Sequence, residues 1–158
     1  MPEIVLGQRR NQIDRLRGDV AVVADDLLDF AGTPGEVTSA GLRSNVSVAL
    51  RYLEAWLRGN GAVAIFNLME DAATAEIARA QVWQWLHQGV PLADTGETVA
   101  ADLVRRIEDE ELVRIRDEIG QADYDAGRYA DARALFEKVA LGEEFVDFLT
   151  LPAYEVMD

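Results

Sequence analysis

The chain of 158 residues has no cysteine and a single histidine, His87. Disulfides, a thiol nucleophile and cysteine-ligated zinc are thereby excluded, and a reducing cytoplasm is compatible with the composition. Basic residues are scarce: 15 Lys and Arg stand against 29 Asp and Glu, a net charge of −14. Such a charge repels phosphate backbones and anionic lipid, so neither nucleic acid nor a membrane surface is expected as a partner. No apolar run approaches the roughly 20 residues that span a bilayer. Residues 1–12 lack the apolar core of a secretory signal, and Val156-Met157-Asp158 is not a peroxisomal Ser-Lys-Leu tail. A cytoplasmic location is the default expectation. Also lacking are a Gly-rich phosphate loop, a nucleophilic triad and a histidine spacing suited to a metal.

What the chain does hold is apolar residues in helical order. Hydrophobic residues make up 49% of a length that suits one ordinary domain with a real core. Residues 1–36 read as an N-terminal arm with a short helix around Ala24 to Phe30, closed by the turn signal Gly32-Thr33-Pro34-Gly35. Thr38 or Ser39 can cap a long helix whose apolar positions Leu42, Val46, Leu50, Leu53 and Leu57 recur at three and four residues, with Gly59 as its stop. Residues 62–68 are apolar without alternation and fit either a buried extended connection or a short helix. A helix opening at Asp71 or Ala72 reaches His87, with more apolar residues than one face holds, so cover on more than one side is predicted.

Thr98 can cap the next helix, striped by Val99, Leu103, Ile107, Leu112, Ile115 and Ile119. Its opposite face, with Arg105, Arg106, Glu108, Asp109, Glu110 and Arg114, reads as solvated charge without a metal cluster. Tyr124 to Gly127 reads as a turn, Tyr129 to Leu141 as a further helix, and Phe145 to Leu149 as a last helical turn or two. The tail Leu151-Pro152-Ala153-Tyr154 must be held by packing if it is ordered. No alternation long enough for a sheet appears. The expected fold is all-α, a single domain of about five or six helices, with the arm and short helix in residues 1–36 and the main helical part in residues 37–158.

The chain is organised around residues 59–87, GNGAVAIFNLMEDAATAEIARAQVWQWLH. Asp71 stands where extended chain meets helix, and Asp there caps the first turn and faces the positive end of the helix dipole. The run NLMEDAATAEI followed by AQVWQWL resembles the signature of malate synthase, in the C-terminal helical plug of its shorter A-type enzymes. TSAGLRSNVSVALRYLEAWLRGNGAVAI before it and FVDFLTLPAY after it extend the resemblance from Val37 to Tyr154 in one order. One departure is Ala64, where A-type enzymes commonly have Pro, which implies a looser connection here.

The resemblance implies roles. Asp71 would be the acid/base that deprotonates the acetyl-CoA methyl group, and Met69 would lie beside the thioester. Glu70 is a second substrate-binding candidate that can equally orient the loop or bond a neighbouring backbone. A thioester methyl is a weak carbon acid, so the base must be aimed and an electrophile must hold the enolate oxygen. The enolate would attack glyoxylate, and hydrolysis would give malate and CoA, a step of the glyoxylate cycle. The family's barrel, with its catalytic Arg and Mg²⁺-binding carboxylates, has no counterpart in these residues. Mg²⁺ and the CoA phosphates would therefore be held by a TIM-barrel partner, and the chain alone should be inactive. Two other readings stay open: a separately encoded helical subunit completing a citrate-lyase-type barrel that acts on another acyl-CoA and aldehyde, or a non-catalytic interaction domain. Trp56, Trp83 and Trp85 read as core or interface anchors, Asn67 as a turn residue, and His87 has no expected catalytic role.

Overall fold

The computed structural model describes residues 16–30, 32 and 35–157. The expected arm over residues 1–15 and the centre of the Thr33-Pro34 turn lie outside them. The chain divides into two units, Met1–Gly35 and Glu36–Asp158. In the first, the short helix α1 spans Ala24–Leu28, and the Asp26 carboxylate closes its start by accepting the Val23 N–H at 3.0 Å.

The second unit is helical. It comprises α2 (Ser39–Leu57), strands β1 (Val63–Ile65) and β2 (Leu68–Glu70), α3 (Ala72–His87), α4 (Ala101–Ile119), α5 (Gln121–Ala126), α6 (Tyr129–Ala140) and α7 (Thr150–Met157). α2 is the central element: α3, α4, α6, α7 and β1 all pack on it. Its stripe of Leu42, Val46, Leu50 and Leu53 is fully buried, as the helical period requires. Thr38 caps it by accepting the Gly41 N–H at 3.1 Å, and Gly59 leaves it with φ of +91°, a conformation natural to glycine. α3 is covered by α2 and α6 on one side, while the Trp83 indole N–H donates to the Gly142 carbonyl at 2.9 Å on another. Ile77 is left in the open at 60% exposure.

Several elements differ from the sequence reading. Of the two readings of residues 62–68 the extended one holds, mostly exposed rather than buried, within a small antiparallel hairpin that pairs Val63 with Glu70, Ala64 with Met69 and Ile65 with Leu68. Thr98 does not cap α4; its backbone bridges Pro91 and the helix opens at Ala101 without a side-chain cap. Gln121–Ala126 is a short helix rather than a turn. The last helix starts at Thr150, after Phe145 to Leu149, and buried Pro152 sits in its first turn, where a missing N–H costs nothing. The all-α fold is as expected, and the described residues hold seven helices where about five or six were expected, the addition being α5, which is short and carries little periodic signal.

The charged face of α4 needs a larger correction. Glu108 and Glu111 are buried, at 0% and 1% exposure. They lie on one stripe with Val104 and Ile115, which the spacing 104, 108, 111, 115 shows in retrospect. Arg43 reaches Glu111 at 3.0 Å from α2. Arg133 on α6 brings its Nε to 3.2 Å from Glu108, but no aligned hydrogen bond satisfies either Glu108 oxygen. Burial first, and then the charge of Glu137, push the Glu108 carboxyl up to about 8, against the pull of Arg133 and Arg105.

Candidate active site

The hairpin decides where the Met69-Glu70-Asp71 triplet points. A two-residue turn joins its strands, and both turn residues have left-handed backbones: Phe66 at φ +51° and Asn67 at φ +63°. Positive φ at both central positions is the type I′ geometry, whose twist matches that of paired strands. Asn tolerates it, but a residue with a bulky side chain gives up about 1–2 kcal/mol there. The strain at Phe66 is offset by packing. The Arg51 guanidinium lies 5.2 Å from the ring centroid, an interaction worth about 0.5–1 kcal/mol at a half-open site. Arg51 is held in turn by Glu118 of α4.

Side chains alternate across a strand, so Met69 and Asp71 leave β2 on one side and Glu70 on the other. The backbone continues extended through Asp71, at φ −124° and ψ −174°, which carries the alternation to that residue. Met69 is 83% exposed and Asp71 is exposed beside it, whereas Glu70 is half-buried on the opposite side. Asp71 also caps α3. Its Oδ1 accepts the N–H of Ala73 at 2.9 Å and of Thr74 at 3.3 Å. Among the described residues no donor reaches Oδ2. One carboxylate oxygen is thus anchored to the helix start, and the other is open to whatever covers this surface.

Behind the hairpin, Tyr52 is buried and its hydroxyl donates to the Gly61 carbonyl at 3.1 Å, just before β1 begins. Burial raises the phenol's pKa, and the nearby Asp71 charge raises it further. The sequence reading missed both Arg51 and Tyr52, since each sits in an ordinary helical position on α2. Leu68 on β2 and Ile77 on α3 are exposed, and Glu76, Ile77, Arg79, Phe145, Asp147 and Phe148 line a cavity of about 270 Å³ on the flank of α3.

His87 stacks on Trp83 with ring centroids 4.0 Å apart, and its Nδ1 lies 2.8 Å from the Trp83 carbonyl, at the end of α3 away from Asp71. Trp56, Trp83 and Trp85 are half-buried anchors, with Trp56 packed edge-on against Tyr154 at 5.0 Å. Among the described residues no group of three or more His, Cys, Asp or Glu is placed to hold a metal ion. No helix there is long and apolar enough to cross a membrane.

Comparison with known proteins identifies the family. Residues 36–157 match the family model described as malate synthase, C-terminal. Malate synthase of Streptomyces clavuligerus is 53% identical over 153 residues, which are 97% of this chain and 28% of that protein. Malate synthase A of Escherichia coli is 44% identical over 154 residues, again 97% of this chain and 28% of the relative. Malate synthase of Oryza sativa is 45% identical over 159 residues, 96% and 28%. The chain therefore spans a little over a quarter of the length of these relatives. With a match across nearly all of the helical unit and relatives this similar, the chain belongs to the malate synthase family and corresponds to its C-terminal region.

Proposed function

We propose that this chain is the C-terminal part of a malate synthase and supplies Asp71 as the acid/base for condensing acetyl-CoA with glyoxylate. The observation that carries the reading is the state of that carboxylate. It is exposed, fixed at the start of α3 through Oδ1, and has no donor on Oδ2 among the described residues. A base that must meet a methyl C–H needs such aim, because misplacement by about 1 Å can cost a hundredfold in rate. Oδ2 takes a methyl proton from acetyl-CoA, and the enolate carbon bonds to the aldehyde carbon of glyoxylate. Water then cleaves the thioester, and malate and CoA leave. Met69, on the same side as Asp71, lies against the thioester, while Glu70 orients the hairpin from its inner side.

The rest of the site belongs to the part of the relatives that this chain does not span. A barrel there would cover Asp71 and the exposed Met69, exclude water and polarise the thioester carbonyl. Mg²⁺ would be bound there rather than by this chain. The net charge of −14 also argues for CoA phosphates held on the barrel side.

The test is complementation. This chain is mixed with a malate synthase barrel lacking its own C-terminal region, together with acetyl-CoA, glyoxylate and Mg²⁺, and CoA thiol release is followed. Release only in the mixture supports the proposal. Docking without release, but turnover with another aldehyde, would favour a subunit of a different citrate-lyase-type enzyme. No docking would leave a helical interaction domain.

A further inference from the structure

We propose that Arg51 and Tyr52, consecutive residues of α2, are positioning residues that aim the Asp71 carboxylate by holding the β1–β2 hairpin at its tip and at its base. The inference rests on the reading of Asp71 as the acid/base. A two-stranded hairpin with strands of three residues is marginal by itself and takes its orientation from what it packs on. Here α2 supplies two fixed points. At the base, the Tyr52 hydroxyl donates to the Gly61 carbonyl at 3.1 Å from a side chain that is 1% exposed. At the tip, the Arg51 guanidinium covers the Phe66 ring and is itself oriented by Glu118. The left-handed Phe66 is the strained point of the path, and strain of this kind persists only where the surroundings over-determine it. Tyr52 is buried and Arg51 is engaged by Phe66 and Glu118, so both act through the hairpin. Both act on the direction in which Met69 and Asp71 leave β2.

The experiment uses an enzyme in which this chain is fused behind the barrel of a malate synthase, with kcat, KM for acetyl-CoA and Tm measured for each variant. Tyr52→Phe and Arg51→Gln should each lower kcat about tenfold while KM stays within about twofold. Phe66→Gly relieves the left-handed strain, so its Tm should hold or rise while kcat still falls. Arg51→Gln combined with Phe66→Gly should be no slower than the worse single variant, because both cut the same contact, and Arg51→Lys should recover part of the rate. Unchanged kcat in Tyr52→Phe and Arg51→Gln, with Asp71→Asn inactive, would overturn the positioning role and leave Asp71 standing. Losses of kcat that merely track Tm would overturn it too. A fusion inactive with Asp71 present, or active as Asp71→Asn, would overturn the acid/base reading and the aiming role with it. Amide exchange at Ala73 and Thr74 in the unfused chain separates the two: faster exchange in Tyr52→Phe supports the holding contact, and unchanged exchange counts against it.

Discussion

Single residues in this chain carry charge to places where a helical pattern would not put it. Glu108 is the extreme case, a carboxyl at 0% exposure facing Arg133, Arg105, Asp109 and Glu137 across α4 and α6. Its folded-state pKa of about 8 lies above the ordinary 4.5, so between those values the folded chain holds a proton that the unfolded chain has lost. Stability from this group is complete below about pH 4.5 and is lost as pH rises towards 8. Glu108→Gln removes that loss. Its Tm relative to the parent should rise from pH 5 to pH 8 by about 3 °C or more, read by circular dichroism, and then level off. A constant difference across that range would mean that Glu108 is already ionised in the fold. The sequence concealed this because Glu108 sits within the run Glu108-Asp109-Glu110-Glu111, whose middle members Asp109 and Glu110 face solvent. Asp71 was legible for the opposite reason: the cap position and the flanking resemblance coincide at one residue, and the structure puts that carboxylate at the helix start and in the open.

Among the elements, the hairpin gave least away in the sequence and matters most for the site. Its turn residues are Phe-Asn rather than the Asn-Gly or Asp-Gly that announce a type I′ turn, and its strands are too short to alternate visibly. Long helices were readable because their apolar stripes run for several turns; α2 begins and ends as its cap and its glycine predict. The register of the hairpin yields a prediction. With a two-residue turn, Ile65 and Leu68 form the hydrogen-bonded pair, so the next pair, Ala64 and Met69, is non-bonded and the Ala64 N–H is unused in the ladder. Ala64→Pro should therefore be accepted and should stiffen the strand, raising stability by up to about 1 kcal/mol in urea unfolding. A lower urea midpoint would show that the N–H is needed. At the start of α2, Thr38→Ala removes the bond to the Gly41 N–H and should lower stability by about 1 kcal/mol in the same assay.

At the scale of the whole helical unit, one arginine ties together chain segments far apart in sequence. Arg128 donates to the Leu57 carbonyl at the end of α2 at 3.2 Å and to the Val156 carbonyl of α7 at 2.8 Å, and it pairs with Asp131. Its own N–H donates to the buried Glu54 carboxylate at 3.2 Å. Arg128→Met should thus free α7, with amide exchange rising there before it rises in α2, and should lower stability by about 2 kcal/mol. Equal exchange in both helices would show that α7 and α2 open as one. With α7 in place, the unit presents Asp71 at the start of α3 and the exposed Ile77 and Phe148 on its flank, an arrangement that fits a cap over a second body. The measurement that bears most directly on this account is CoA thiol release by the chain joined to a malate synthase barrel, with Asp71 compared with Asp71→Asn and docking measured in parallel. The account predicts undiminished docking and a rate lowered at least a hundredfold in the variant. A variant that docks and turns over at the parent rate would contradict it.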